Sequence, residues 1–245
     1  GEKSRFISQL LADKQEVVSL QVSPKVVTEK KVLKEIKKSE KVLAKLKELA
    51  TKGISPSALT NYLYNPFAFY KQKVLGIYEY NEVEEIVAAN TMGTIVHDTL
   101  DALYKPYEGA FIKTKDIDTM KLKTDDLVVF YFQKHFQNTS LLTGKNKLIF
   151  EISKSFVLRF LSEERKIVSG GQQLKIISTE QKLATTIEIE GFNFPIKIKG
   201  IVDRIDELDG TLRIIDYKTG MVTQSELKLH DFSLISKNNK YSKAI

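Results

Sequence analysis

The stretch Gly200–Gly220, which reads GIVDRIDELDGTLRIIDYKTG, limits the possible folds more than any other part of the sequence. It contains Asp-Gly between two alternating apolar runs, which is the strongest short-range signal for a β-hairpin. If Asp209 and Gly210 form a two-residue turn, Leu208 faces Thr211. The sequence numbers of all further paired residues then add up to 419. The pattern therefore predicts both the hairpin and its register.

This register places charged groups on one face of otherwise apolar strands. Ile205 faces Ile214, and Asp203 faces Asp216 with Cβ atoms about 5 Å apart. Lys218, two residues beyond Asp216, points to the same face. Like charges at this distance are destabilising unless one carboxylate is protonated or a cation lies between them. Mg²⁺ would resolve the conflict, because it takes oxygen ligands and prefers one or two carboxylates together with water and phosphate.

The hairpin thus predicts a metal site at Asp203 and Asp216, with Lys218 orienting a water or stabilising charge on a phosphate. The same residues also have a simpler interpretation. Asp203 could end a strand with its carboxylate in water, and Lys218 could be an ordinary charge closing the next strand. A turn that is one residue longer or shorter would also shift the register and separate the two aspartates.

Composition narrows the chemistry further. The 245 residues include no cysteine, which excludes disulfides, thiolate ligands and thiol nucleophiles and suits a cytosolic protein. They include three histidines. No apolar run reaches the length of a membrane span. The net charge is +7, and Ser23–Lys52 alone holds ten lysines against four glutamates. A concentrated positive charge favours a polyanion such as nucleic acid, although a solvated lysine-rich helix has the same composition.

Helical periodicity dominates the first two thirds of the chain, and alternation follows Gly170-Gly171. The predicted helices run from about Thr28 to Ala50, through the segment Ile54–Ile77, from Asn90 or Thr91 to Tyr104, from Asp116 to His135, and from Asn146 to Val168. Three or four antiparallel strands are expected from Gln173 to Tyr217, with turns near Gly191 and Asp209-Gly210. The predicted class is α/β, a helical N-terminal part followed by a mixed, mainly antiparallel sheet flanked by helices.

Two groups of apolar residues are expected to pack. The helix with His97 presents a buried stripe, and the upstream segment Ile54–Ile77 contributes aromatic and aliphatic side chains. The stripe on the helix consists of Ile95, of Thr99 or Leu100, and of Leu103. The upstream group consists of Phe67, Phe69, Tyr70, Val74 and Leu75. His97 lies beside the stripe, where a histidine is usually packed or exposed, but a metal site nearby makes a ligand role reasonable. His135 and His230 have no such context.

Three motifs resemble those of the PD-(D/E)XK nuclease superfamily, in particular the nuclease domain of RecB- and AddB-type helicase–nucleases. They are GTIVH at Gly93–His97, GIVDRID at Gly200–Asp206 and DYKTG at Asp216–Gly220. The upstream segment SPSALTNYLYNPFAFYKQKVLGI is similar to that family as well. The resemblance covers roughly Ile54–Gly220 and implies a restriction-endonuclease-like fold.

The resemblance also implies a function. The ligands of Mg²⁺ or Mn²⁺ that it implies are His97, Asp203, Asp216 and the backbone carbonyl of Tyr217 or Ile215. The catalytic residues that it implies are Asp203, Asp216 and Lys218. The implied activity is a metal-dependent deoxyribonuclease, an exonuclease that works with a helicase domain or subunit in repair of DNA double-strand breaks. The protein is expected in the bacterial cytoplasm, associated with the nucleoid and not with a membrane. The residues expected to contact DNA are Lys30, Lys34, Lys37, Lys38, Lys41, Lys45 and Arg204.

Two departures from the family pattern matter. Many AddB-type domains hold an iron–sulfur cluster with a cysteine just before the proline of the upstream segment, but this position is Asn65, so no such cluster is expected. The family also continues after DYKTG with a glutamine- and tyrosine-containing helix and a further strand, whereas this sequence stops at NNKYSKAI. The expected organisation is a basic helical segment over residues 1–53 and a nuclease domain over 54–245 without its last helix and strand.

Two other functions remain open. The chain could be a catalytically silent module that guides DNA or supports a helicase–nuclease complex, although a silent copy has no chemical need for opposed aspartates. It could also be a protein-interaction domain that docks through its lysine-rich helix, which accounts for the helix and not for the hairpin. Glu180, on a preceding strand, could touch the site, although an exposed strand glutamate is the expected interpretation.

Overall fold

The computed structural model describes residues 4–13, 35–78, 87–136 and 143–221. By packing, the chain forms two units, Gly1–Lys38 and Ser39–Ile245. In the first unit, helix α1 (Arg5–Ala12) begins after Ser4, whose side chain accepts a hydrogen bond from the Ile7 N–H. All further helices and strands among the described residues belong to the second unit, and the predicted boundary at Gly53 lies inside it.

In the described part of the second unit, the helices are α2 (Glu40–Lys52), α3 (Pro56–Tyr64), α4 (Pro66–Phe69), a π-helix (Tyr70–Val74), α5 (Ala89–Tyr104), a 3₁₀ turn (Lys105–Tyr107), α6 (Thr114–His135) and α7 (Gly144–Ser169). The sequence placed α5, α6 and α7 within two residues of these bounds. No helix within the described ranges combines the length and the apolar character that a bilayer crossing requires.

Helix α2 is shorter than the predicted helix. It begins at Glu40 after Ser39, and residues 35–39 are not helical. The predicted start at Thr28 lies outside the described residues. The C-terminal end follows the prediction, because Gly53 has a φ of 112°, which does not continue a helix.

Over the residues that the structure describes, the sheet has three strands in the order β1-β2-β3, and both strand pairs are antiparallel. They are β1 (Leu174–Ile187), β2 (Ile196–Leu208) and β3 (Thr211–Ile215). The predicted register is confirmed from Leu208↔Thr211 to Arg204↔Ile215. The turn residues Asp209 and Gly210 both have positive φ values, 48° and 80°, as a two-residue type I′ turn requires.

The buried face of this hairpin is the charged one. Arg204 and Asp206 are 1% and 0% exposed, whereas Ile201 and Ile214, on the face shared with Asp203, are 56% and 63% exposed. The isoleucines therefore do not form the core of the hairpin. Of the two core-facing polar side chains, Arg204 finds a partner on a helix, whereas Asp206 finds its partners within the hairpin.

Helices α5, α6 and α7 pack together and cover this face of the sheet. The larger core cluster is Val96, Leu100, Leu103, Tyr104, Ile112, Ile117, Met120, Val157, Leu161, Leu174, Ile176 and Tyr217. A second cluster is Val87, Ile95, Val128, Phe132, Phe136 and Phe150. The predicted stripe of α5 is confirmed, because Ile95, Thr99, Leu100 and Leu103 are all buried.

The upstream segment joins the sheet beside the part of β2 that β3 does not cover. Strand β3 covers only Arg204–Leu208 of β2, and Ile54 forms a parallel bridge with Ile198 further along the same strand. Helix α3 then starts over Gly200, where an added methyl group would stand 3.7 Å from Pro56 Cδ. The packing prediction for this segment holds for Phe69, which is buried, and is wrong for Phe67 and Leu75, which are exposed.

Candidate functional site

Helix α5 and strand β2 bring His97 and Asp203 into contact. His97 Nδ1 lies 3.3 Å from Asp203 Oδ1. The other oxygen of the carboxylate, Oδ2, accepts the backbone N–H of Tyr217 at 2.5 Å. The His97 and Tyr217 rings meet edge to face, with centroids 5.7 Å apart. All three sequence motifs therefore meet at Asp203, whose carboxylate is oriented by the backbone of DYKTG.

The contacts shift the pKa values of both side chains. The hydrogen bond with Asp203 raises the pKa of His97 against the opposing effect of burial, and a backbone hydrogen bond with Tyr217 and the charge of Asp216 raise it further. Burial alone would raise the pKa of Asp203, but the His97 ring and the Tyr217 N–H outweigh it and lower that pKa. The pair therefore favours a charged imidazolium beside a charged carboxylate in the metal-free protein.

Asp216 and Lys218 form a second, more exposed pair. Their carboxylate and ammonium groups are 2.6 Å apart, and each side chain is 59% exposed. Strand β3 ends at Ile215, so the predicted Asp203–Asp216 pair lies one position beyond the hydrogen-bonded ladder. Asp216 is nevertheless close enough for its charge to raise the pKa of His97.

The residues present suit a divalent cation with few protein ligands. Two ligands at adjacent corners of an octahedral Mg²⁺ site, each 2.0–2.1 Å from the ion, are roughly 3 Å apart, close to the 3.3 Å between His97 Nδ1 and Asp203 Oδ1. Within the described ranges, no three His, Asp or Glu side chains are arranged to hold a metal. A cation at His97 and Asp203 would therefore keep several water or phosphate ligands, as Mg²⁺ usually does.

Glycine at the start of the α5 motif makes room for the DYKTG segment. A methyl group at Gly93 would stand 3.2 Å from Thr219 Oγ1, which is closer than ordinary van der Waals contact. Gly93 is one turn before His97, so the close approach holds the loop after β3 against the helix that carries the histidine. This close approach explains why a glycine stands at the first position of the α5 motif.

The structure corrects the prediction that Arg204 contacts DNA. Its side chain is 1% exposed, lies 2.7 Å from the Asp206 carboxylate and donates to Glu164 on α7. Tyr104 donates its hydroxyl to the same glutamate. Arg213 completes the network with two hydrogen bonds to Asp206, of 2.7 and 3.0 Å. A guanidinium inside this network cannot reach a phosphate.

The role of Arg204 is structural support of the site. Its guanidinium lies over the rings of Tyr104 and Tyr217, 4.5 and 5.9 Å from their centroids. Phe160 packs edge to face on Tyr217 at 5.2 Å. These contacts fix Tyr217, and through its backbone N–H they fix the Asp203 carboxylate.

The lysines predicted to contact DNA are spread over different parts of the chain. Lys41 and Lys45 lie on α2, where Lys45 pairs with Glu48 at 2.8 Å. Lys37 and Lys38 are exposed in the non-helical residues before α2. Lys30 and Lys34 lie outside the described residues. Their contacts with DNA remain a prediction.

Glu180 is exposed on β1, as the sequence predicted, and it also stands near the site. It lies between Thr179 and Gln181, which pair with Arg204 and Val202, so it is aligned with Asp203 across the β1–β2 ladder. Its φ is 47°, a left-handed conformation that is uncommon for a residue other than glycine. Burial and the charge of Asp203 raise its pKa. Only the pairing of β1 with β2 could have revealed this position.

The remaining histidines have different surroundings. His135 Nε2 lies 2.7 Å from Asp98 Oδ2, on the residue that follows His97 in α5. This contact links α6 to α5, and it gives His135 a structural role in helix packing. His230 lies outside the described residues.

Comparison with known proteins agrees with these motifs. A family model described as the PD-(D/E)XK nuclease superfamily matches residues 53–232. An uncharacterized protein of Rickettsia typhi is 29% identical over 182 residues, which are 71% of this chain and 19% of the relative. An ATP-dependent helicase/deoxyribonuclease subunit of Streptococcus uberis is 25% identical over 168 residues, 68% of this chain and 14% of that protein. The chain thus spans a fifth or less of the length of these relatives.

Proposed function

The chain belongs to the PD-(D/E)XK nuclease superfamily, and on this premise we propose that it hydrolyses phosphodiester bonds of DNA with Mg²⁺ or Mn²⁺ held at His97 and Asp203. The observation that carries the proposal is the 3.3 Å contact between a helix histidine and a strand aspartate, next to the DYKTG loop. A divalent cation at this position supplies a nucleophile at neutral pH and offsets charge on the phosphate.

Each site residue has a distinct task in this proposal. Asp203 and His97 hold the cation, and the backbone of Tyr217 orients Asp203 while its carbonyl is available as a further ligand. Asp216 adds a second carboxylate at the edge of the site. Lys218 orients the attacking water or contacts the phosphate, since its ammonium group is exposed and lies 2.6 Å from Asp216. The lysines of α2 contact the DNA backbone, which would make binding depend on salt.

We further propose that the domain acts as an exonuclease beside a helicase during repair of double-strand breaks. The support is the name of the Streptococcus uberis relative, which describes an ATP-dependent helicase/deoxyribonuclease, together with the small share of that protein which this chain covers. A domain with this task would act on chromosomal DNA in the cytoplasm. Linear and circular single-stranded substrates of equal length separate exonuclease from endonuclease action, because an exonuclease requires a free end.

The test of the nuclease proposal combines cleavage with metal binding. We expect Mn²⁺-dependent cleavage of labelled DNA to fall about 100-fold or more in Lys218→Ala, by loss of a group that acts on the water, while Mn²⁺ binding in calorimetry persists. Asp203→Asn should lose both cleavage and binding, and Asp216→Ala should weaken both. Lys182→Ala, an exposed lysine of β1, is the matched control and should behave as the wild type.

A catalytically silent module is the second candidate. It is favoured by one observation, which is that no three potential metal ligands are grouped within the described ranges. Its expected result is DNA binding that depends on salt, with no Mn²⁺ binding and no cleavage in the wild type. Mn²⁺ binding that Asp203→Asn abolishes would exclude this candidate.

A further inference from the structure

The corner between α3 and α4 exposes three aromatic rings within six residues. Tyr62, Tyr64 and Phe67 are 47%, 50% and 42% exposed. We call Tyr62–Phe67 the aromatic corner. Single exposed apolar side chains are normal on a protein surface, whereas large exposed apolar patches mark binding surfaces. Leu63, between the two tyrosines, is 37% exposed as well, so this group is a candidate for such a patch.

The aromatic corner is built on a rigid framework. Tyr62 packs edge to face on the buried Phe69, with centroids 5.4 Å apart. Asn65 caps α4 by accepting the Ala68 N–H at 3.0 Å. Asn61 donates to Gln72 at 3.0 Å and so joins α3 to the π-helix. Such π-helical turns occur frequently at functional sites. The rings are therefore presented on fixed backbone rather than on a loop.

The electrostatic character of the segment favours an anionic ligand. Residues 54–78 contain Lys71 and Lys73 and no aspartate or glutamate, although the whole chain has 31 acidic residues among 245. A stretch of this length would hold about three acidic residues at that average frequency. A segment that combines exposed aromatic rings with lysines and has no acidic side chain matches a ligand that combines flat apolar groups with negative charge.

The segment also lies beside the strand that carries Asp203. Ile54 donates its N–H to the Lys197 carbonyl at 2.8 Å and accepts the Lys199 N–H at 3.0 Å. Pro56 is in contact range of Gly200. Gly200 precedes Asp203 by three residues, which is about 10 Å along a strand. The start of α3 is therefore within two or three nucleotides of the proposed metal site, and the aromatic corner follows at the other end of this nine-residue helix.

We propose that the aromatic corner stacks the bases of single-stranded DNA and so leads one strand towards Asp203. The proposal rests on the proposed nuclease function and assigns a surface of this chain to its DNA substrate. Stacking requires bases whose faces are free, which single strands offer and duplexes do not. It is tolerant of sequence, because every base has a flat face.

The experiment measures the fluorescence anisotropy of a labelled oligothymidylate with the full chain in EDTA, so that no cleavage occurs. Tyr62→Leu, Tyr64→Leu and Phe67→Leu keep an apolar side chain and remove the ring. We expect each to weaken single-strand binding about tenfold, the loss typical of one stacked base, and to leave binding of a duplex of equal length unchanged. The control is Phe130→Leu, which removes an equally exposed ring on α6 and should have no effect.

Wild-type affinity in all three variants would overturn the proposal, and the corner would then serve as a protein-docking surface. An equal loss of duplex binding would overturn it as well. Cross-linking of the wild type to an oligonucleotide with bromodeoxyuridine is a second readout that needs no variant, and the cross-linked peptide must contain residues 62–67. The nuclease proposal is tested separately, since Asp203→Asn should abolish cleavage in Mn²⁺ and retain single-strand binding in EDTA.

Discussion

His97 Nδ1 and Asp203 Oδ1 lie 3.3 Å apart, although one belongs to a helix and the other to a strand 106 positions later. In the metal-free protein the contact is an ion pair, since the pKa of His97 is raised and that of Asp203 is lowered. The contribution of His97 to the free energy of unfolding is fully present below the histidine pKa of 6.5 in the unfolded chain. It is lost as pH rises through the raised pKa that His97 has in the folded protein. The contribution of Asp203 is lost only when pH falls through its lowered pKa.

Because a cation must displace the proton from His97, we expect Mn²⁺ affinity to depend on pH. Affinity should fall about tenfold per pH unit below the raised pKa of His97, as one proton is displaced per ion. Calorimetric titration between about pH 5 and pH 8 measures this slope, which should begin above the ordinary histidine pKa of about 6.5. His97→Asn should bind more weakly and with little pH dependence in this range. His135→Asn is the control and should keep the slope, and a slope that survives in His97→Asn would contradict the assignment.

The buried network around Arg204 should contribute strongly to stability. Arg204→Met removes the positive charge and leaves Glu164 and Asp206 buried, which should cost about 3–5 kcal/mol of unfolding free energy. Urea unfolding of the metal-free protein measures this loss. Arg213→Met should cost clearly less, because its side chain is partly exposed and Asp206 keeps Arg204 as a partner. Arg204→Met combined with Glu164→Leu should recover part of the loss, and a fully stable single variant would refute the role of the network.

The hairpin register could be predicted because it depends on local chemistry. Asp209 and Gly210 accept the positive φ angles of a tight turn, and the turn sets every pair up to Arg204↔Ile215. The stripe of α5 was predictable for a similar reason, since helical spacing alone determines which side chains share a face. The three motifs then indicated which residues meet, and His97 and Asp203 do meet.

The buried face of the hairpin could not be predicted in the same way. Burial of Arg204 depends on Glu164, which is forty positions earlier on α7 and becomes a partner only when the helix packs on the sheet. Hydrophobicity alone favours the opposite face, with Ile201 and Ile214 inside. The end of β3 at Ile215 was equally invisible, and it separates Asp216 from the ladder.

Close packing at Gly93 gives a further prediction about the site. In Gly93→Ala the added methyl group meets Thr219 Oγ1 at 3.2 Å, so a small shift of that side chain should accommodate it. Gly93→Val adds two more methyl groups and should push the DYKTG loop away from α5. We expect this variant to weaken Mn²⁺ binding about tenfold, the lower end of effects from residues that support metal ligands. Thr94→Val introduces the same side chain at the next, exposed position, and an equal effect there would show that only the helix is disturbed.

Glu180 combines backbone strain and an unfavourable charge beside Asp203, and two variants separate them. Glu180→Gly removes the side chain from a residue with φ of 47°, which relieves roughly 1 kcal/mol of strain. Glu180→Gln keeps the strain and removes the charge. Because the pKa of Glu180 is raised, its ionisation opposes folding. Glu180→Gln should therefore raise the melting temperature in EDTA at neutral pH, and this gain should vanish below the ordinary glutamate pKa, where both states are protonated.

The same charge should favour a cation, so the effect on metal binding has the opposite sign. Glu180→Gln is expected to weaken Mn²⁺ binding a few-fold, because a negative charge aligned with Asp203 attracts the ion. Glu190→Gln removes an exposed carboxylate in the loop between β1 and β2 and should change neither quantity. A lower melting temperature in Glu180→Gln would mean that the carboxylate stabilises the fold. Stronger Mn²⁺ binding in that variant would place the cation away from the β1–β2 ladder.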